Sequence, residues 1–232
     1  MIFRSAQFRK LLTLVAFILF PLTVLADPDA EAILNAARVN PMGEKTSLSA
    51  QLRSKSTVIP FEIHVDNAVR YVFENPRQEL ILKLEDKAPV LTEHLGGETS
   101  KVRRAQFDKP VRDTGITYED LALRFLYWKN PILQGEDVLR TRKAWKIEIQ
   151  AGRDSSQYGV AWVWIDQQTG AILRMEGYDR KGRLRRRFEV ISAKKIDGQW
   201  MLKQMRVETF DPTTKKILNR TYLEILDRLT QK

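Results

Sequence analysis

The sequence predicts a mainly β protein, in which one antiparallel sheet of about 10–11 strands curves into an incomplete barrel and short helices form a lid. Three observations predict this fold. Apolar residues alternate with polar ones over short segments, Gly and Asp turns separate those segments, and two stretches have helical spacing instead. No linker, low-complexity tract or internal repeat divides the chain.

Two short helices are expected. The first would begin with Asp27 as its N-cap and Pro28 in its first turn, with Ala30 and Leu34 on its apolar face. The second would begin at Thr117, because Thr117 and Asp120 have the spacing of a capping box. Its apolar face would consist of Leu121, Phe125 and Trp128, and Asn130-Pro131 would end it.

The strands before residue 90 follow from strict alternation. Four runs of about six residues each carry apolar side chains at every second position, so each strand has one apolar and one polar face. We expect the apolar faces to point into the concave side of the sheet. The side chains predicted to face inward there are Phe61, Ile63, Tyr71, Phe73 and Leu82.

Further strands are predicted after residue 144. Trp145 heads an alternating run, and residues 158–165 are apolar on both faces, as in a strand covered on both sides. From these two runs we expect Trp145 and Trp162 to face inward. Phe125 and Trp128 would then close over them from the lid helix. Short Gly and Asp turns separate the remaining runs up to residue 226.

A basic stripe is predicted on one of these strands. Alternation places Leu184, Arg186 and Phe188 on one face and Arg183, Arg185 and Arg187 on the other. The three arginines could form an ordinary solvated face, or a surface attracted to anionic lipid headgroups.

The first 26 residues read as a secretory signal peptide. Basic residues precede an apolar run of short length, and Val24-Leu25-Ala26 offers small residues at the cleavage positions. We expect export by the Sec route with cleavage after Ala26. The 232-residue chain carries a net charge of +10, and since residues 1–26 hold three basic and no acidic residues, residues 27–232 would form a single domain with a net charge of +7.

The composition excludes several classes of chemistry. The chain has no Cys and two His, so it offers no disulfide, no thiol nucleophile and no multi-His metal centre. His64 and His94 read as surface residues, and no nucleophile elbow, phosphate loop or metalloprotease motif occurs. We therefore expect no catalytic residue, no cofactor and no metal. Export argues against nucleic acid as the partner of the basic residues.

A set of motifs in fixed order resembles one family. Residues 100–104 (Ser-Lys-Val-Arg-Arg), Phe107 and residues 115–121 (Gly-Ile-Thr-Tyr-Glu-Asp-Leu) are similar to a basic run, a Phe and a helix start of the LolA-like outer-membrane lipoprotein-sorting proteins. Further similarities to that family follow at residues 163–166 (Val-Trp-Ile-Asp), Gly170, Arg174, Tyr178-Asp179, Gly182, residues 198–200 (Gly-Gln-Trp) and Met205. The resemblance extends over essentially the whole of residues 27–232.

The resemblance implies a function. Members of that family carry acylated lipoproteins or other lipids across the periplasm, between an inner-membrane transporter and an outer-membrane acceptor. The concave face and the lid would hold the acyl chains, and a monomer is expected. Some relatives of this fold instead act as periplasmic sensors of the anti-sigma-factor regulator type, which bind a membrane-anchored partner. That role, and a structural role in the envelope, are the alternatives.

Overall fold

The computed structural model describes residues 28–39, 45–55, 57–85, 89–152, 156–196 and 199–229. The predicted signal peptide and the Asp27 cap lie outside these residues and stay predictions. Helix α1 covers Ala30–Val39, and the carboxylate of Asp29 accepts a hydrogen bond from the backbone N–H of Glu31 at 3.0 Å. Asp29 thus satisfies an N-terminal donor of this helix. Leu34 is fully buried on the predicted apolar face.

Six strands follow helix α1 as one antiparallel meander. They are β1 Thr46–Arg53, β2 Val58–Val65, β3 Val69–Phe73, β4 Gln78–Lys83, β5 Val90–Leu95 and β6 Glu98–Lys101. The cross-strand pairs Leu48 with Ile63, and Ile63 with Tyr71, put the predicted apolar faces of β1 to β3 on the same side. Strand β4 ends before Leu84, which is 46% exposed rather than part of the apolar face.

The segment from 102 to 131 carries the chain from one edge of the sheet to the other. It contains a 3₁₀ helix at Arg104–Gln106, helix α2 at Tyr118–Ala122 and a second 3₁₀ helix at Arg124–Tyr127. We call residues 118–128 the lid segment. The predicted single helix is broken here, because Leu123 adopts a left-handed conformation with φ of 47°. The apolar spacing continues across the break and therefore does not reveal it.

Seven strands return the chain across the sheet as a second antiparallel meander. They are β7 Ile132–Leu139, β8 Arg142–Gln150, β9 Val160–Asp166, β10 Ile172–Tyr178, β11 Leu184–Ile196, β12 Gln199–Phe210 and β13 Ile217–Arg228. Strand β13 pairs with β1, so both meanders belong to one sheet of 13 strands whose edges are β6 and β7. The prediction of one curved, unclosed antiparallel sheet with short helices is confirmed, with 13 strands rather than about 10–11.

The core lies on the concave side of this sheet. One continuous cluster of buried apolar residues joins helix α1, the lid segment and both meanders. Contacts between α1 and β9, and between the second 3₁₀ helix and β8, place the helical elements over the second meander. The division of the chain into a signal peptide and a single domain stays a prediction.

Candidate functional site

Aromatic and aliphatic side chains of the first meander line the concave face. The rings of Phe61 and Phe73 stack with centroids 5.0 Å apart, and the ring of Tyr71 lies 6.4 Å from that of Phe61. Ile63 and Leu82 are buried beside them. Since directly paired residues in adjacent strands share a face, the register places all five predicted side chains on this side.

Tyr71 differs from its neighbours because it stays partly exposed. Burial of its hydroxyl nevertheless raises the pKa of Tyr71 to about 12. Desolvation has this effect because it disfavours the charged phenolate. Tyr71 therefore lies in an apolar environment on the concave face that is not completely filled by other side chains.

The lid segment starts with the predicted capping box. The hydroxyl of Thr117 accepts a hydrogen bond from the backbone N–H of Asp120 at 3.2 Å, and the carboxylate of Asp120 accepts one from the backbone N–H of Thr117 at 2.8 Å. The two bonds satisfy donors that a helix start leaves unpaired. This motif was part of the family resemblance, and here it fixes where the helix begins.

A buried ion pair joins this helix start to the second meander. Nε of Arg186 on β11 lies 3.2 Å from a carboxylate oxygen of Asp120. The hydroxyl of Tyr158 donates to the other oxygen of Asp120 at 2.7 Å, and Arg186 also donates to the backbone carbonyl of Gly115 and the hydroxyl of Thr209. Burial, together with the Asp120 carboxylate, raises the pKa of Tyr158 well above its ordinary value. Every charge in this cluster has a partner, as burial requires.

The same helix start is also joined to the first meander. The hydroxyl of Tyr118 donates to the carboxylate of Glu93 on β5 at 2.7 Å, and Gln78 on β4 donates to the same oxygen at 2.5 Å. Burial, with the Glu93 bond, raises the pKa of Tyr118 to about 12. Arg112 donates to the side-chain carbonyl of Gln78 at 2.7 Å. The N-terminal end of the lid segment is therefore held by polar contacts to both halves of the sheet.

Glu119 connects the helix start to a third segment of the chain. Its carboxylate accepts hydrogen bonds from the hydroxyl of Ser156 and from the backbone N–H of Gln157. Burial raises the pKa of Glu119 above its ordinary value, although these bonds oppose the shift. The Tyr-Glu-Asp motif thus contacts a different partner with each of its three side chains.

Aromatic rings pack around the far end of the lid segment. The ring of Phe125 lies 6.2 Å from that of Tyr158, 6.3 Å from that of Phe188 and 6.4 Å from that of Trp128. Arg38 on helix α1 donates to the backbone carbonyl of Leu126 at 2.6 Å, and its guanidinium lies 5.1 Å from the centre of the Tyr127 ring. Phe125 and Trp128, both in the lid segment, are buried.

The other two tryptophans of the predicted site, Trp145 and Trp162, lie on opposite faces of the sheet. Trp145 pairs with Ile165, whose side chain belongs to the core, so Trp145 is on the concave side and partly exposed. Trp162 pairs with Glu148 and Glu176 on the convex side, and Lys146 Nζ lies 4.1 Å from its ring centre. The prediction that Trp162 faces inward was wrong. In β9 it is Ala161, Val163 and Ile165 that face the core.

Of the predicted basic stripe, the strand register places only Arg187 on the convex face, because Arg183 precedes β11 and a bulge at Arg185 interrupts the alternation. The three arginines do not form a free cationic surface either. Arg187 contacts Glu176 at 2.7 Å, and Arg183 contacts Asp179 at 2.8 Å. Among the three arginines, only Arg185 has no ion pair within the described ranges. The stripe therefore needs correction as a lipid-headgroup site, because carboxylates already neutralise two of its three members.

Ion pairs continue from this stripe across the convex face. Glu208 on β12 lies 2.9 Å from Arg220 on β13, and Glu189 on β11 lies 2.6 Å from Arg206 and 2.9 Å from Arg174. Alternating signs on adjacent strands stabilise the cross-strand register. The convex face of the second meander is thus charged and paired, whereas its concave face is apolar.

Most of the buried polar contacts could not be read from the sequence. Glu93 and Gln78 share a face with Leu91 and Leu80, and only the alternation of those leucines hints that they point inward. Tyr158 gives no such signal, because the run that it heads is apolar on both faces. Among the described residues, no three His, Asp or Glu side chains converge as metal ligands. His64 is bonded to Ser47 and Glu62 at the surface.

Among the solved structures that share this fold are three from Vibrio parahaemolyticus, Desulfovibrio piger and Nitrosomonas europaea. A domain from Vibrio parahaemolyticus named for outer-membrane lipoprotein sorting has a TM-score of 0.71 at 16% identity, and the match covers 86% of this chain and 91% of that domain. A DUF1329 family protein from Desulfovibrio piger has a TM-score of 0.68 at 18% identity, over 86% and 92% of the two chains. A LolA superfamily protein from Nitrosomonas europaea has a TM-score of 0.63 at 13% identity, over 88% and 94%.

These structures define the class: the chain has a LolA-like fold, and the resemblance seen in the sequence motifs is confirmed at the level of the fold. The chain belongs to the protein family whose model is described as "-like: Uncharacterized protein" and matches residues 97–231. No curated protein matches it. None of the helices among the described residues has the length and apolar character needed to cross a membrane.

Proposed function

We propose that this protein is a periplasmic carrier, which binds the acyl chains of a lipoprotein or another lipid on its concave face and ferries them toward the outer membrane. One observation carries this proposal. An apolar concave face is covered by a segment whose N-terminal end makes polar contacts to both halves of the sheet and whose far end carries rings packed into the core. The names of the structural relatives favour the same role.

The proposed binding face contains eight of the nine side chains expected from the sequence, without Trp162. They are Phe61, Ile63, Tyr71, Phe73, Leu82, Phe125, Trp128 and Trp145. An acyl chain moved from water to such a surface gains about 0.8 kcal/mol for each buried CH₂ group. Tyr71 and Trp145 are partly exposed, so we propose that the chain first enters beside them.

Loading would require the lid segment to move. In the structure, Phe125 occupies the concave side between Tyr158 and Phe188. An acyl chain could replace Phe125 there if the part of the lid after Leu123 swings outward while the helix start stays bound to Arg186 and Glu93. Motions of this kind let a binding protein both shelter and release its cargo.

The proposed role also involves export, a single monomeric domain and two membrane partners. Residues 1–26 would be removed on export, and residues 27–232 would act as one monomeric domain that performs no catalytic step. An inner-membrane transporter would supply the cargo, and an outer-membrane acceptor would receive it. The absence of Cys from the chain fits this role, because folding after export would not depend on disulfide formation.

The direct test is native mass spectrometry of the protein purified from cell envelopes, followed by titration of the lipid-free protein with a fluorescent fatty acid. We expect copurified acyl species and saturable binding of one or a few chains. A protein that is empty when isolated and ignores added fatty acid would contradict the proposal. Capture of a membrane-anchored regulator by such an empty protein would favour the sensor alternative.

A further inference from the structure

Two neighbouring turns at one end of the second meander are rich in basic residues. They are the β10–β11 turn, residues 179–183, and the β12–β13 turn, residues 211–216. Strands β11 and β12 are paired from Arg186 and Thr209 onward, so the two turns lie side by side. We call the two turns, with Arg185, Ile217 and Leu218, the basic end.

The charges at the basic end do not cancel. Arg180, Lys181, Arg183, Arg185, Lys215 and Lys216 contribute six positive charges there, and Asp179 and Asp211 contribute two negative ones. The loop that leads to Gly115 adds Arg112 and Asp113, whose charges offset each other. Within the described ranges, the ammonium groups of Lys181, Lys215 and Lys216 make no ion pair. A local net charge of this size attracts anionic surfaces.

Both acids at the basic end have a structural task. The carboxylate of Asp179 accepts hydrogen bonds from the backbone N–H groups of Lys181 and Arg183, at 2.9 and 3.0 Å. The carboxylate of Asp211 accepts bonds from the backbone N–H groups of Thr213 and Thr214, at 2.8 and 2.6 Å. The acids thus hold the two turns in shape and present the basic side chains outward.

Two exposed aliphatic residues follow Lys215 and Lys216 in the sequence. Ile217 is 44% and Leu218 is 60% exposed, at the first two positions of β13. Adjacent aliphatic groups and lysines are the combination by which a protein surface binds a lipid bilayer, because the lysines meet anionic headgroups while the aliphatic groups enter the interface.

We propose that the basic end docks this protein onto anionic lipid membranes. The proposal moves the membrane contact from the Arg183–Arg185–Arg187 stripe to the two turns, since Arg187 is paired with Glu176 on the convex face. Membrane docking does not depend on acyl-chain binding. Fatty-acid titration tests the carrier proposal, whereas vesicle flotation tests membrane docking. The basic end also adjoins the start of the lid segment, because Arg186 on β11 contacts both Gly115 and Asp120.

Vesicle flotation of the protein tests this docking directly. We expect binding to vesicles of phosphatidylglycerol with phosphatidylcholine, no binding to vesicles of phosphatidylcholine alone, and loss of binding as salt is added. Each lysine near an anionic surface is worth about 1 kcal/mol, or about fivefold in partitioning, so the double variant Lys215→Gln with Lys216→Gln should bind about 25-fold more weakly. Leu218→Ser should weaken binding about tenfold.

The matched control is Lys143→Gln with Lys203→Gln. It removes the same charge from exposed lysines at the opposite end of the strands, and it should bind as the unchanged protein does. Equal loss in both double variants would overturn the proposal, because net charge alone would then explain the binding. Absence of binding to the anionic vesicles would overturn it as well. If the protein binds soluble polyglutamate but not the vesicles, the basic end fits an acidic macromolecule and the membrane proposal is wrong.

Discussion

The guanidinium of Arg186 and the carboxylate of Asp120 form a buried ion pair 3.2 Å apart, with 7% and 0% of their side chains exposed. The pair joins the first turn of the lid helix to strand β11 across the concave side. Both groups also bond to Tyr158, so this buried polar cluster is one of the contacts that position the lid helix.

The first prediction concerns this pair. Asp120→Asn leaves the Arg186 guanidinium buried without its paired carboxylate, so we expect the free energy of unfolding to fall by about 3–5 kcal/mol in urea titrations. The control is Glu74→Gln, which breaks the exposed Arg77–Glu74 pair and should cost less than about 1 kcal/mol. The double variant Asp120→Asn with Arg186→Met should lose less free energy of unfolding than the sum of the losses in the two single variants. Similar losses for Asp120→Asn and Glu74→Gln would contradict the prediction.

The second prediction concerns Gly177 on β10. A Cβ atom at this position would lie 2.7 Å from two ring carbons of Tyr158, which is fully buried. Gly177→Ala should therefore lower the free energy of unfolding by about 1–3 kcal/mol, because neither the strand nor the ring can move freely. In a Tyr158→Leu background the same substitution should cost much less. Equal costs in both backgrounds would show that the ring is not the obstacle.

The third prediction concerns pH. Glu224 on β13 accepts hydrogen bonds from Arg53 and Gln51 on β1 and from Gln204 on β12, and the Arg53 bond is the main reason that the pKa of Glu224 falls from 4.5 to about 2. A carboxyl group with a lowered pKa stabilises the fold above its unfolded pKa, and this stability is lost as pH falls toward the folded value.

Glu224→Gln should accordingly lose about 1–2 kcal/mol of the free energy of unfolding at neutral pH, after allowance for solvent screening of the half-exposed Arg53. The difference from the unchanged protein should shrink as pH falls from about 4.5 to about 2. Chemical denaturation at a series of pH values measures it. A difference that stays constant over that range would mean that the Glu224 charge does not contribute.

The fourth prediction separates the two faces of the sheet. Trp128→Ala removes a buried ring of the lid segment, whereas Trp162→Ala removes an equally large ring from the convex face. We expect Trp128→Ala to weaken fatty-acid binding about tenfold or more and Trp162→Ala to leave it unchanged. Circular dichroism and melting curves would confirm that both variants are folded. Equal effects on binding would argue against the concave face as the binding site.

The sequence predicts those strands whose apolar residues alternate with polar ones. The alternation around Ile63 and Tyr71, and around Arg186 and Phe188, identifies the inward face correctly. Strands β5 to β7 are not predicted because they offer little such contrast, and β6 is exposed at every position. Trp162 was assigned to the wrong face because residues 158–165 are apolar on both faces and show no period of two.

The sequence predicts only part of the candidate site, because it shows the spacing of side chains within a segment and not the pairing of distant segments. Apolar side chains reveal themselves by spacing, but the pairing of Asp120 with Arg186, or of Tyr118 with Glu93, depends on how distant strands align. The capping box at Thr117 is local, so the sequence alone predicts it and the structure confirms it. The contacts by which Asp120 and Tyr118 join this helix start to both halves of the sheet depend on the tertiary structure.

The bond between Arg53 and Glu224 joins residues 171 positions apart in the chain. The edge of β1 that pairs with β13 therefore stays unpaired until β13 has been synthesised. Until then this edge is open to other chains. Contacts between such distant residues slow folding, because a long loop must close before they form. We expect a newly made chain to pass through a half-formed sheet whose open β1 edge favours association with other chains.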